Sequence, residues 1–118
     1  MSYRKGASFE YRIKNDLEKN GYYVMRSAGS HGIVDLIALK FGEMLLIQAK
    51  SNSLILNYQE WNAVVKLSRD VGGTPIHALK VGRKLIYRKL HGYRASRTVG
   101  AFSLFNPDSL DTQETMVL

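Results

Sequence analysis

Apolar residues recur along the chain at two spacings, one helical and one extended. Over residues 7–20, Phe9, Ile13 and Leu17 stand four apart and predict an amphipathic helix. Gly21 follows Asn20 and marks its C-terminal stop. Residues 22–26 are rich in aromatic and β-branched side chains and predict a strand. Residues 34–40 and 44–50 are mostly apolar and flank a tight turn at Phe41-Gly42-Glu43, so they predict a hairpin. Helical spacing returns over residues 58–71, with Trp61, Val64, Val65 and Leu67 on one side. Asn57 stands at the N-cap, Glu60 at the third helical position, and Gly72-Gly73 at the end. Residues 75–81 and 84–90 predict two strands around a Gly82-Arg83 turn, and 99–105 is apolar enough for one more. The order predicts an α/β fold, a mixed central sheet of about five strands flanked by helices.

The polar exceptions to this pattern carry the chemistry. Asp35 interrupts an apolar strand, and Gln48 and Lys50 end the next one. Side chains alternate along a strand, so Gln48 and Lys50 share a face with Met44 and Leu46. Desolvating Lys50 without a counter-charge is costly, and Asp35 is its nearest candidate partner in sequence. Glu10 lies on the edge of the first helix's apolar stripe. Each has an ordinary explanation when taken alone: a helix-edge acid, a buried ion pair, a strand-end amide, a snorkelling lysine. In this order they describe a site. Two carboxylates and an amide oxygen suit a hard divalent cation. Such an ion activates water against a phosphodiester. Lys50 would hold that water or offset charge growing on the phosphate. For this, Glu10 and Lys50 must reach the same side of the sheet. Trp61 and His77 read as structural, and Phe102, Leu104 and Phe105 as core or a subunit seam.

Charge narrows the partner. The 118 residues suit one compact domain over 1–105, followed by an acidic tail over 106–118. The formal net charge is +7, yet residues 1–97 hold seventeen basic and seven acidic residues, a net of +10. Nucleic acid is the favoured partner, ahead of a membrane surface or an acidic protein. Residues 2–6, SYRKG, read as a basic arm. With no cysteine, disulfides and thiolate metal sites are excluded, which fits a reducing, intracellular setting. The N-terminus lacks the apolar core of a signal peptide, and no apolar run is long enough to span a bilayer.

Two stretches, YRKGASFEYRIKNDLEKNGYYVMRSAGSHGIVDLIA and VVKLSRDVGGTPIHALKV, resemble the archaeal-type Holliday junction resolvases of the PD-(D/E)xK nuclease superfamily. The likeness covers most of residues 3–90 and fades in the tail. It implies a restriction-endonuclease-like core and a homodimer that cuts paired strands of a four-way DNA junction. It implies Mg²⁺, with Mn²⁺ able to substitute, and neither a small-molecule cofactor nor a membrane. Carried over, Glu10, Asp35 and Gln48 are the metal positions and Lys50 the catalytic lysine. Ser30 matches an active-site serine. Arg4, Lys5 and Arg26 match residues of DNA contact or catalysis, and His31, beside Ser30, is placed to touch DNA. One departure stands out: the family usually has Glu where this chain has Gln48. One negative charge is lost, so metal affinity falls or another ligand compensates. Two alternatives follow: a junction-binding protein with weakened or lost catalysis, or a nuclease of the same fold acting on other branched DNA.

Overall fold

The computed structural model describes residues 2–27, 32–52 and 56–108, with side chains from residue 8 onward. Each of two helices is followed by three strands: α1 (Ser2–Lys19), β1 (Tyr23–Arg26), β2 (Leu36–Lys40), β3 (Glu43–Ala49), α2 (Tyr58–Val71), β4 (Thr74–Val81), β5 (Lys84–Leu90) and β6 (Phe102–Phe105). The sheet follows chain order, β1 to β6. Every neighbouring pair is antiparallel except β3 and β4, which run parallel with α2 as their connection.

The helices take opposite faces because the strands alternate. Leu36, Ala38, Leu45, Ile47, Ile76 and Ala78 turn to α1 and close over Phe9, Ile13 and Leu17. Leu46 turns the other way, to Val64 of α2, and Leu90 meets Trp61 and Val65. Both helices stop where the glycines stand. Gly21 and Gly72 adopt φ of 91° and 78°, and the N–H of Gly72 bonds the carbonyl of Ser68. The loop after β5 is strapped across α2. Trp61 Nε1 donates to the Gly92 carbonyl at 2.8 Å, and Asn62 exchanges two bonds with the Arg94 backbone. Gly100 lies flat on the indole, where a Cβ would come within 2.3 Å of Trp61 Cζ2.

Three expectations need correction. The basic stretch expected as an arm is the first turn of α1, so Arg4 and Lys5 sit on a helix. Nothing in SYRKG breaks a helix except Gly6, and the amphipathic segment behind it carries the turn. The strand count is six, because Phe102–Phe105 pairs with β5. That last strand is shorter than residues 99–105, since Gly100 is committed to Trp61. Ser30, His31, the side chains of Arg4 and Lys5, and residues 109–118 of the acidic tail lie outside the described residues.

Candidate active site

Asp35 sits just before β2, at the point where the strand's alternation stops. Its N–H bonds the Ile47 carbonyl at 2.8 Å, while Leu36 is already in register with Ile47. Two residues opposing one is the arrangement of a β-bulge. Its own carbonyl accepts from the Ser27 N–H at 2.8 Å. The carboxylate turns across β3, where Oδ2 accepts from the Ala49 N–H at 2.8 Å. This ties Asp35 to the strand that carries Gln48 and Lys50.

The charges around Asp35 come from three elements. Burial raises its pKa above the usual aspartate value. The Ala49 N–H pulls it down, Glu10 pushes it up, Lys50 pulls it down and Glu60 pushes it up again. Glu10 is held by Arg26, whose Nε and Nη2 donate to Oε1 at 3.2 and 3.0 Å. The Arg26 guanidinium also stacks on Tyr11, 4.4 Å from the ring centre. Arg26 is therefore engaged in fixing a carboxylate.

Lys50 does not pair with Asp35. Its backbone N–H bonds the Ala78 carbonyl at 3.0 Å, and its Nζ lies 3.0 Å from Oε2 of Glu60. Gln48 and Lys50 do share the face of Met44 and Leu46, as alternation requires. That face belongs to α2, however, and Glu10 comes from α1 on the other. The simple demand that Glu10 and Lys50 lie on one side of the sheet is not met. They approach from two faces and meet electrostatically at Asp35, where the bulge ends β2.

The Gln48 side chain makes no hydrogen bond among the described residues. Its register partner is His77, which is fully buried. Neither ring nitrogen of His77 makes a hydrogen bond of good geometry. Burial pushes its pKa down to about 4, with the Arg88 charge adding to the drop. The imidazole is neutral at pH 7.

Oxygen donors in this arrangement fit a hard divalent cation. Burial and the neighbouring acids both disfavour the ionised form of Asp35, and a cation would relieve both. Among the described residues no group of three or more His, Asp or Glu side chains is placed to hold a metal ion. A magnesium-like ion needs no such group, since it keeps several waters and takes one or two carboxylates.

The profile of the family described as "Archaeal holliday junction resolvase (hjc)" matches residues 1–118. The chain belongs to this family. One curated resolvase relative is the "Crossover junction endodeoxyribonuclease Hjc" of Methanocaldococcus jannaschii. It is 41% identical over 88 residues, which are 72% of this chain and 65% of that relative. The match thus spans just under two thirds of the relative's length. The solved structure of Archaeoglobus fulgidus Hjc, "a Holliday junction resolvase from an archaeal hyperthermophile", aligns with a TM-score of 0.67 at 20% identity. That alignment covers 86% of this chain and 98% of the other. At that identity the likeness establishes the resolvase fold.

Within this resolvase-family fold, Glu60 is the neighbour that sequence reasoning missed. Its position invited a capping role, and half of that role is present: its N–H donates to Asn57 Oδ1 at 2.8 Å. The carboxylate goes to Lys50 instead of back to the cap. The available signal was Lys50 itself, a strand-end ammonium that needed a counter-charge from whatever element came next.

Proposed function

We propose that this chain is a divalent-metal-dependent endonuclease that resolves four-way DNA junctions. Membership of the resolvase family carries the proposal. Glu10 and Lys50 lie on opposite faces of the sheet, so the one-sided site expected from the sequence gives way to one at the strand end, where both charges act on Asp35. Asp35, Glu10 and the Gln48 carbonyl would hold the cation, with Mg²⁺ as the natural ion and Mn²⁺ as a substitute. The bound ion supplies an activated water and a counter-charge for the phosphate. Lys50, at the edge of the same group, would steady charge growing on the scissile phosphate. Arg26 orients Glu10 through its two hydrogen bonds and takes no separate role on DNA unless that pair opens. Arg4 and Lys5 on the first turn of α1, with Ser30 and His31 after β1, would grip backbone phosphates.

Paired cuts in a four-way junction call for two identical sites, so the working unit is a homodimer of the 1–105 domain. Leu104, exposed on the edge strand β6, offers an apolar seam for it. An enzyme of recombining DNA works inside the cell, beside its substrate. Among the described residues, no helix is long and apolar enough to cross a membrane.

The decisive experiment incubates a synthetic four-way junction with protein and Mg²⁺ or Mn²⁺, beside flap and plain duplex at one salt concentration. Paired symmetric cuts in the junction are expected. Asp35→Ala should abolish them while junction binding persists. Normal cutting by that variant would overturn the site. Binding without any cut by the unaltered chain would favour a junction-binding protein disarmed at Gln48, and stronger cutting of flaps would move the substrate to other branched DNA.

A further inference from the structure

A lysine at a strand end has a problem of aim. Its ammonium rides on a flexible four-carbon stem with many rotamers, few of which set the charge where a phosphate reacts. The backbone of Lys50 is fixed, because its N–H bonds the Ala78 carbonyl at 3.0 Å. That backbone also stands beside the acid of the site, since Asp35 Oδ2 accepts from the N–H of Ala49, one residue earlier. Neither bond restrains the ammonium. The contact that does comes from α2.

We propose that Glu60 is a positioning residue for the cutting of DNA: its carboxylate holds the Lys50 ammonium in place at the edge of the site. The inference rests on the nuclease reading above. Glu60 Oε2 lies 3.0 Å from Lys50 Nζ. The acid itself stands on a fixed turn of helix. Its N–H donates to Asn57 Oδ1 at 2.8 Å, and the next N–H, of Trp61, bonds the Asn57 carbonyl at 2.9 Å. Trp61 is 2% exposed, and its indole is tied to the Gly92 carbonyl. Glu60 thus passes the rigidity of the α2 core to the tip of Lys50. The Lys50 and Glu60 side chains are 39% and 31% exposed, so the ammonium stays open to a phosphate while it is held. An acid in the first turn of a helix has an ordinary use, which is to favour the helix N-terminus. That use needs no lysine, and an exposed ion pair adds little stability.

The test asks whether Glu60 acts through Lys50. The unaltered full chain, Glu60→Gln, Lys50→Gln and the double variant are compared on a synthetic four-way junction with Mg²⁺. Single-turnover cutting rate and junction affinity are measured separately at one salt concentration. Glu60→Gln leaves the cap intact, since the backbone N–H remains and glutamine suits that position of a capping box. Its cutting rate should fall on the order of tenfold or more. Its junction affinity should hold or tighten, because a negative charge beside the DNA is gone. In the Lys50→Gln background, Glu60→Gln should cause no further fall. Without DNA, nuclear magnetic resonance relaxation of the Lys50 ε-carbon should show a more mobile stem in Glu60→Gln than in the unaltered chain. Unchanged or faster cutting by Glu60→Gln would overturn the inference. So would a further fall in the Lys50→Gln background, or a Lys50 stem whose motion does not change. Asp35→Ala, run alongside, separates the two layers. If Asp35→Ala and Lys50→Gln lose cutting while Glu60→Gln does not, Glu60 alone is dismissed. If Asp35→Ala and Lys50→Gln both cut as the unaltered chain, the nuclease site itself falls.

Discussion

On the α1 face of the sheet, Ile13, Leu17, Leu36 and Ile47 belong to one continuous apolar cluster. On the α2 face the apolar residues divide into two, one around Val64 and one around Trp61. That second face also holds Gln48, the buried His77, neither of whose ring nitrogens makes a hydrogen bond of good geometry, and Ser68, whose hydroxyl has no hydrogen-bond partner among the described residues. Among the described residues the α1 face satisfies the usual rule that buried polar groups are bonded, and the α2 face breaks it. Buried polar groups left unpaired weaken a fold, and they persist where some other requirement holds them. One face holds the molecule together, and the other bears polar groups that the fold alone does not need.

The sharpest way to break this contrast is at Asp35, between the faces. Asp35→Asn keeps an acceptor for the Ala49 N–H but removes the charge. Cleavage should fall on the order of 10³-fold, read as single-turnover rate on a junction. Stability should move the other way. Burial raises the folded pKa of Asp35, so ionisation favours the unfolded chain as pH rises through the window above the ordinary aspartate value. The variant should therefore melt higher at pH 7, and the gain should fade in acid. A lower melting point at pH 7 would show that the carboxylate supports the fold.

Next in size is the α1 face. Ile13 is fully buried in its cluster, and Ile13→Ala should cost ~2–5 kcal/mol in urea unfolding. Junction cleavage at low temperature should survive among the molecules that remain folded. His77→Leu probes the α2 face. The folded pKa of about 4 lies below the ordinary histidine value, so its neutral form stabilises the fold above pH 6.5 and that support is lost as pH falls toward 4. The full loss is about 3 kcal/mol. His77→Leu should flatten stability across that window, and an unchanged acid limb would contradict the assignment. Gly100→Ala comes last. Its Cβ would meet the Trp61 ring, and displacing the strap should cost ~1–3 kcal/mol, with Trp61 fluorescence reporting the shift.

The elements of this fold were legible because local pattern and tertiary packing agree. The spacing of Phe9, Ile13 and Leu17 is the stripe that α1 buries, and Asn57 and Gly72 cap α2 as their side chains and dihedrals favour. The start of α1 was not legible, because a short basic run before a helix reads equally as an arm. Within the site, Asp35, Gln48 and Lys50 were visible as polar residues in apolar strands. Their true partners were not. Lys50 reaches Glu60 on the next helix, and Arg26 reaches Glu10 from one strand to a helix, sixteen residues apart. Neither periodicity nor propensity encodes such long contacts. The bulge at Asp35 was likewise hidden, and it is what lets charges from two faces act on one carboxyl.

The lone parallel seam, between β3 and β4, has a consequence for biosynthesis. Both acids proposed as ligands, Glu10 and Asp35, are synthesised early, yet Lys50 is anchored by a bond to the carbonyl of Ala78. A strand pair that must wait for an intervening helix closes late, since its ends start far apart along the polymer. A half-made chain thus holds its chemical groups without the scaffold that aims one of them, and the proposed site is complete only once β4 is in place.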